Sequence, residues 1–148
     1  MSAKIGVGTT ALISAVALAL SFGSTHADVP MSGSFVGVMM MLSGFAITFA
    51  VFKANRYASG TIEVMENQSV ISTGPYALVR HPLYAGALIM LIGIPLTLGS
   101  WRGELVNVPL LAAIIWRLLD EERFLTERLA GYSDYKESVR YRIIPFVW

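Results

Sequence analysis

Apolar residues in this chain come in long unbroken runs, not in alternating or heptad patterns. Residues 5–22 hold 18 positions without a charge, residues 29–52 hold 24, and residues 83–101 hold 19. About 20 apolar residues, rising 1.5 Å each, cross a hydrocarbon core of about 30 Å. Each of these runs therefore predicts a transmembrane helix. Residues 105–119 predict a weaker fourth. Arg117 lies near its end, where a long side chain snorkels to the interface or faces an internal site.

Between the second and third runs the pattern changes. Residues 53–82 read as a polar loop with short extended pieces at 61–65 and 69–72, closed by a Gly74-Pro75 turn. Pro82 suits the first position of a helix, where its missing N–H has no partner to lose, which makes His81 the cap. Gly86 and Gly93, seven apart, bare one face of that helix for a neighbour or a flat ligand, and Pro95 predicts a kink near its far end. The fourth helix runs on past the bilayer. There Arg117 and Glu121 are four apart and share a face with Leu125 and Arg128. Gly131 reads as a residue closing that helix. A short amphipathic helix follows at 132–139, and then an end rich in Arg and aromatics that suits the headgroup layer or could cover a ligand. In the second run, Gly33, Gly37, Gly44, Ala46 and Ala50 permit close helix contact in lipid, including contact with a second copy. The expected fold is an all-α integral membrane protein: about four transmembrane helices, a loop on one side, and a C-terminal helical cap.

Composition agrees and excludes several classes. Of 148 residues, 55% are hydrophobic and 14% charged, about half the usual charged share. With 11 basic against 10 acidic residues, the net charge of +1 excludes a strongly basic nucleic-acid binder. The absence of cysteine excludes a disulfide scaffold and a thiol nucleophile. Two histidines, His26 and His81, make no metal constellation, and neither GxGxxG nor GxxxxGK[ST] occurs. Charge is also unevenly placed. Lys4, Lys53, Arg56, Arg80, Arg117, Arg123, Arg128, Lys136, Arg140 and Arg142 fall on one side of a four-span topology and Arg102 on the other. That asymmetry puts both ends and the 53–82 loop in the cytoplasm. Lys4, the apolar stretch 11–20 and Ser24-Thr25-His26-Ala27 also imitate a signal peptide, so the first run is either a retained helix or a leader.

The polar half carries an ordered set of short motifs. They are Gly74-Pro75-Tyr76, then Arg80-His81-Pro82-x-Tyr84-x-Gly86, then Arg117-x-x-x-Glu121-Glu122-x-x-Leu125, then Tyr132-x-x-Tyr135 and a closing Pro145. This set resembles the isoprenylcysteine carboxyl methyltransferase family, related to phospholipid N-methyltransferases, over roughly residues 55–148. The resemblance implies one membrane methyltransferase domain over 1–148, with N-terminal helices in 1–54 and the catalytic part in 55–148. It implies S-adenosylmethionine as cofactor, bound by Gln68, Ser69, Val70, Ile71, Tyr76, His81, Pro82, Leu83, Tyr84 and Glu121. It makes Arg117 the residue facing the methyl acceptor, and His81 and Glu122 the other catalytic candidates. A lipophilic small molecule or lipid entering from the bilayer is the implied substrate, with membrane lipids as surroundings, a homodimer as a possible assembly and neither nucleic acid nor metal as partner. The active site would face the cytoplasm from a bacterial inner membrane. Gln68 departs from the family, which can have His there. About four spans are fewer than in eukaryotic relatives, so the part enclosing a prenyl group is reduced and the acceptor is not inherited with the family name.

Chemistry fits this set. Glu121 or Glu122 can accept from a ribose diol or an ammonium, Tyr76 and Tyr84 can lie near a sulfonium, and His81 can meet the cofactor carboxylate. A carboxylate acceptor needs no base, only Arg117 to hold it. An amine or thiol acceptor must lose a proton to His81, Glu122 or a tyrosine. Two rival readings are an NADPH-dependent membrane reductase of similar helical core, disfavoured by the lack of a basic cluster for a 2′-phosphate, and a non-catalytic scaffold that pairs through Gly37 and Gly44.

Overall fold

The computed structural model describes residues 28–57 and 68–148. The expected first span at 5–22, its reading as a leader and the extended piece at 61–65 lie outside the described residues. Among the described residues all regular structure is helical. Helix α1 spans Met31–Ala54, a 3-10 turn Gly74–Ala77, α2 Pro82–Thr97, a second 3-10 turn Arg102–Val106, α3 Asn107–Arg128 and α4 Tyr132–Ser138. Residues 69–72, expected to be extended, carry no regular structure.

One described helix, α1, is long and apolar enough to cross a membrane. Its 24 residues measure about 36 Å, more than a hydrocarbon core requires. Phe35, Leu42, Phe45, Phe49 and Phe52 project outward, all more than half exposed. The other two runs yield less than their hydropathy predicts. Helix α2 has 16 residues, because Gly99 adopts a left-handed φ of +78° and turns the chain. In α3 the apolar stretch stops at Arg117.

Helices α1 and α2 meet along their glycines. A Cβ on Gly37 would lie 2.8 Å from the Gly93 carbonyl oxygen, and one on Gly44 2.6 Å from that of Gly86. Only hydrogen fits at such a backbone contact. At Gly37, Gly44, Gly86 and Gly93 the bare surface is filled by a helix of the same chain, while Ala46 stays exposed.

Pro95 lies inside α2 and cannot donate to the Leu91 carbonyl one turn back. Asn107 supplies the missing donor: its Nδ2 reaches Leu91 O at 3.0 Å and Glu104 Oε2 at 2.6 Å. The first turn of α3 is thereby fastened to the weak point of α2. At the opposite end of the bundle, the start of α2, the second half of α3, α4 and the tail converge, and the motif residues gather there.

Candidate active site

Two polar clusters share that end, and both use the same turn of α3. The first is closed around Glu122, which is 4% exposed, and Arg80, which is 7% exposed. Arg80 Nε donates to Glu122 Oε1 at 2.7 Å, and Arg142 Nε donates to Oε2 at 2.9 Å. Arg80 Nη1 also donates to the carbonyl oxygens of Val139 at 2.9 Å and Arg140 at 3.1 Å. Backbone pairing reinforces this: Arg80 N donates to Tyr141 O at 2.9 Å and His81 N to Arg142 O at 2.8 Å. A buried carboxylate needs such partners. Burial alone would raise the Glu122 pKa, but contacts from His81 and Arg142 and the charge of Arg80 outweigh it and hold the group down at about 2. Glu122 is therefore ionised at any physiological pH.

The second cluster is centred on Tyr84. Its hydroxyl donates to Glu121 Oε2 at 2.7 Å and accepts from Arg117 Nε at 3.0 Å. The shared helix face of Arg117 and Glu121 thus meets the first turn of α2. The ring of His81, the residue before α2, lies 5.8 Å from the Tyr84 ring. His81 Nε2 is buried, 3.5 Å from Glu122 Oε1, and makes no hydrogen bond. Tyr132 is 4% exposed, and its hydroxyl also lacks a partner. Buried polar atoms are rarely left unpaired without a reason. Among the described residues, two such atoms therefore stand at the end of the bundle where Glu121 and Glu122 gather.

The remaining predicted residues take part in packing or stand in irregular chain. Tyr76 accepts at its hydroxyl from Asn55 Nδ2 at 3.0 Å, and its carbonyl accepts from Tyr135 at 2.8 Å. With Val70 and Leu125 it packs on Leu129, Tyr132, Tyr135 and Val139. Burial pushes the hydroxyls of Tyr76, Tyr132 and Tyr135 up, so these phenols stay protonated at neutral pH. Pro82 is fully buried as the first residue of α2, and Leu83 is half-buried beside it. Gln68, Ser69 and Ile71 occupy the irregular stretch before the Gly74 turn, Ser69 exposed and the other two half-buried. Sequence reasoning assigns no role to the side chains of Arg80 and Arg142. Arg80 is marked only by its place beside His81-Pro82, and Arg142 by no local signal.

The sequence profile of the phospholipid methyltransferase family matches residues 33–131, from the glycine face of α1 to the end of the Glu121-Glu122 helix. The chain belongs to that family. Among its relatives, the cobalt-zinc-cadmium resistance protein CzcN of Cupriavidus metallidurans is 26% identical over 137 residues, 89% of this chain and 59% of the relative. The protein-S-isoprenylcysteine O-methyltransferase A of Arabidopsis thaliana is 31% identical over 120 residues, 75% of this chain and 58% of the relative. A probable protein-S-isoprenylcysteine O-methyltransferase of Oryza sativa subsp. indica is 28% identical over 123 residues, 77% of this chain and 62% of the relative. The chain thus spans about three fifths of the length of the curated relatives it matches. The family match takes in both the Tyr84 cluster and the Arg80–Glu122 pair. Tyr132, Lys136 and Arg142 lie beyond it.

Proposed function

We propose that this phospholipid methyltransferase family member is a membrane-embedded, S-adenosylmethionine-dependent methyltransferase acting on a lipophilic or lipid acceptor, with a carboxylate as the accepting group. The observation that carries this reading is the Tyr84 hydroxyl, held between Glu121 and Arg117 at the end where the His81 nitrogen and the Tyr132 hydroxyl are buried and unpaired. The residues fit the cofactor: a carboxylate for its ammonium or ribose hydroxyls, aromatic rings for its cation, and orphaned polar atoms for its carboxylate and base edges. S-adenosylmethionine supplies an electrophilic methyl group on a sulfonium centre.

In this reading Glu121 accepts hydrogen bonds from the cofactor, and the rings of Tyr84 and Tyr76 offer it π faces. His81, Pro82, Leu83 and the 68–71 stretch complete the wall. Arg117 holds the acceptor carboxylate by charge-assisted bonds. A carboxylate is already nucleophilic, so the protein's contribution is alignment in a pocket that excludes water. Glu122, ionised and bound by two arginines, is a positioning residue and not a proton carrier. Were the acceptor an amine or a thiol, a base would be needed, and His81, beside Glu122, is a candidate. The chain is one domain over 1–148. We place α1, α2 and the first half of α3 in the bilayer, with the Tyr84 end on the cytoplasmic side of a bacterial inner membrane. The support is the ten-to-one distribution of basic residues.

Calorimetric titration of the purified protein tests the reading. S-adenosylmethionine should bind saturably and Glu121→Gln should weaken it about tenfold, the effect of a lost charged hydrogen bond. Saturable NADPH binding without S-adenosylmethionine binding would instead establish the reductase. Binding of neither cofactor would instead support the scaffold.

A further inference from the structure

On the face of α3 turned away from Tyr84 lies a polar cleft of about 410 Å3. It is lined by Leu119, Arg123, Thr126 and Glu127 of α3, Lys136 of α4 and Arg142 of the tail, with Glu122 at its back. At 100° per residue, positions 119, 123, 126 and 127 form one stripe of the helix, and Arg117, Glu121 and Leu125 form another about half a turn round. The cleft is therefore distinct from the Tyr84 cluster.

Its charge is unbalanced. Glu122 is already held by Arg80 and Arg142. That leaves Glu127 facing Arg123 and Lys136. Lys136 Nζ reaches only the Thr126 hydroxyl, at 3.4 Å, and the Arg123 guanidinium has no ion-pair or hydrogen-bond partner among the described residues. With Glu122 and Glu127 against Arg123, Lys136 and Arg142, the lining keeps an excess of one positive charge. It is built for an anion.

The surroundings say which kind. The contacts Arg80–Glu122 and Tyr84–Glu121 put the start of α2 level with residues 121–122 of α3. From there to Glu127 the helix rises about 7.5 Å, which is about the depth of one headgroup layer. Beside the cleft, the Arg142 guanidinium stacks 5.2 Å from the Trp148 ring. The backbone N–H groups of Ile143 and Ile144 close a tight loop on Trp148 O at 3.0 and 3.1 Å. Phe146 sits at the tip of that loop with φ +66°, an unfavourable conformation for a bulky residue, and is 87% exposed. Val147 is 74% exposed and Ile144 51%. A soluble anion has no use for an apolar tip beside its site, whereas a lipid presents a phosphate and acyl chains together.

We propose that this cleft binds the phosphate of an anionic bilayer phospholipid, with the Ile144, Phe146 and Val147 tip lying among its neighbours' chains, as a docking site separate from the methyl-transfer site. The proposal rests on the membrane reading above but not on the cofactor.

The test is native mass spectrometry of the full chain in detergent, offered equal amounts of dioleoyl phosphatidylglycerol and dioleoyl phosphatidylcholine. The wild-type protein should retain phosphatidylglycerol in preference. Arg123→Gln and Lys136→Gln should each reduce that preference about fivefold, and Phe146→Ser should reduce retention of the lipid. Arg142 is left intact because it holds Glu122. Titration with S-adenosylmethionine and the melting temperature should not change in Arg123→Gln or Lys136→Gln, which separates a lost lipid site from a lost fold. Equal retention by wild type and the double variant would overturn the proposal. So would displacement of phosphatidylglycerol by an equal concentration of inorganic phosphate, which would make the cleft a site for free anions. If phosphatidylglycerol is retained through Arg123 and Lys136 while S-adenosylmethionine fails to bind, the lipid site stands and the methyltransferase reading falls.

Discussion

Glu121 and Glu122 are neighbours in sequence and opposites in surroundings. The 100° step between them on α3 turns Glu122 into the junction of α2, α4 and the tail, where two arginines take both its oxygens. The same step turns Glu121 toward a single tyrosine hydroxyl, which Arg117 also reaches. Around Glu122 the guanidinium groups are spent on the protein itself, on a carboxylate and on the carbonyl oxygens of Val139 and Arg140. Around Tyr84 the side chains of Glu121 and Arg117 meet at one atom, the tyrosine hydroxyl. A closed network fixes an architecture, and in the proposed reading the Glu121 side of the same motif meets the cofactor.

The largest effect should come from opening the closed network. Arg80→Ala leaves Glu122 ionised and buried with Arg142 and the more distant His81 ring, and removing one partner of such a buried pair costs about 3–5 kcal/mol. Thermal unfolding in detergent should show a collapse of the melting temperature, with cofactor binding lost as a consequence. If Arg80→Ala melts like wild type, the Glu122 region is no scaffold and the contrast fails.

Acid should reach the same network by a second route. Glu122 is held at about 2 against an ordinary value of 4.5. A carboxylate depressed by folding contributes stability that is fully present above its unfolded value and is lost as pH falls through its folded value. The contribution is about 3 kcal/mol at most, and it should disappear between about pH 4.5 and 2. Denaturant midpoints across that window should fall in the wild-type protein. In Glu122→Gln the slope should be smaller, because the titrating group is gone.

How far these regions could be read from sequence follows from how local their causes are. Pro82 at the first turn of α2, His81 before it, and the shared face of Arg117 and Glu121 depend on residues within a turn of one another, and all stand as read. The facing of Gly86 and Gly93 to a neighbour was equally legible, although that neighbour is α1 of the same chain. Helix lengths were less so. The apolar run past Thr97 ends at the left-handed Gly99, and hydropathy does not register a backbone turn. Gly131, read as closing α3, instead stands at φ +81° as the cap of α4, while Leu129 ends α3. The Arg80 network was not legible at all. Its acceptors, at Glu122, Val139 and Arg140, lie 42 to 60 positions downstream and are mostly backbone carbonyls, which carry no residue signature.

The smallest structural change should give the sharpest separation between the two regions. Tyr84→Phe removes one hydroxyl and keeps the ring that packs on His81. Glu121 and Arg117 are four apart on α3 and can then approach each other directly, so neither charge is stranded. The fold should lose no more than about 1 kcal/mol, the net worth of an ordinary hydrogen bond. The bridge that holds Glu121 and Arg117 apart would be gone, however, and both would turn toward each other and away from the proposed cofactor and acceptor. S-adenosylmethionine affinity and turnover should each fall about tenfold, since a misplaced group near a reacting centre is felt at that scale. Melting and calorimetry on one preparation measure the two quantities side by side. If Tyr84→Phe unfolds as Arg80→Ala does, both clusters belong to the scaffold. If it changes neither stability nor affinity, the hydroxyl between Glu121 and Arg117 is not part of a binding site.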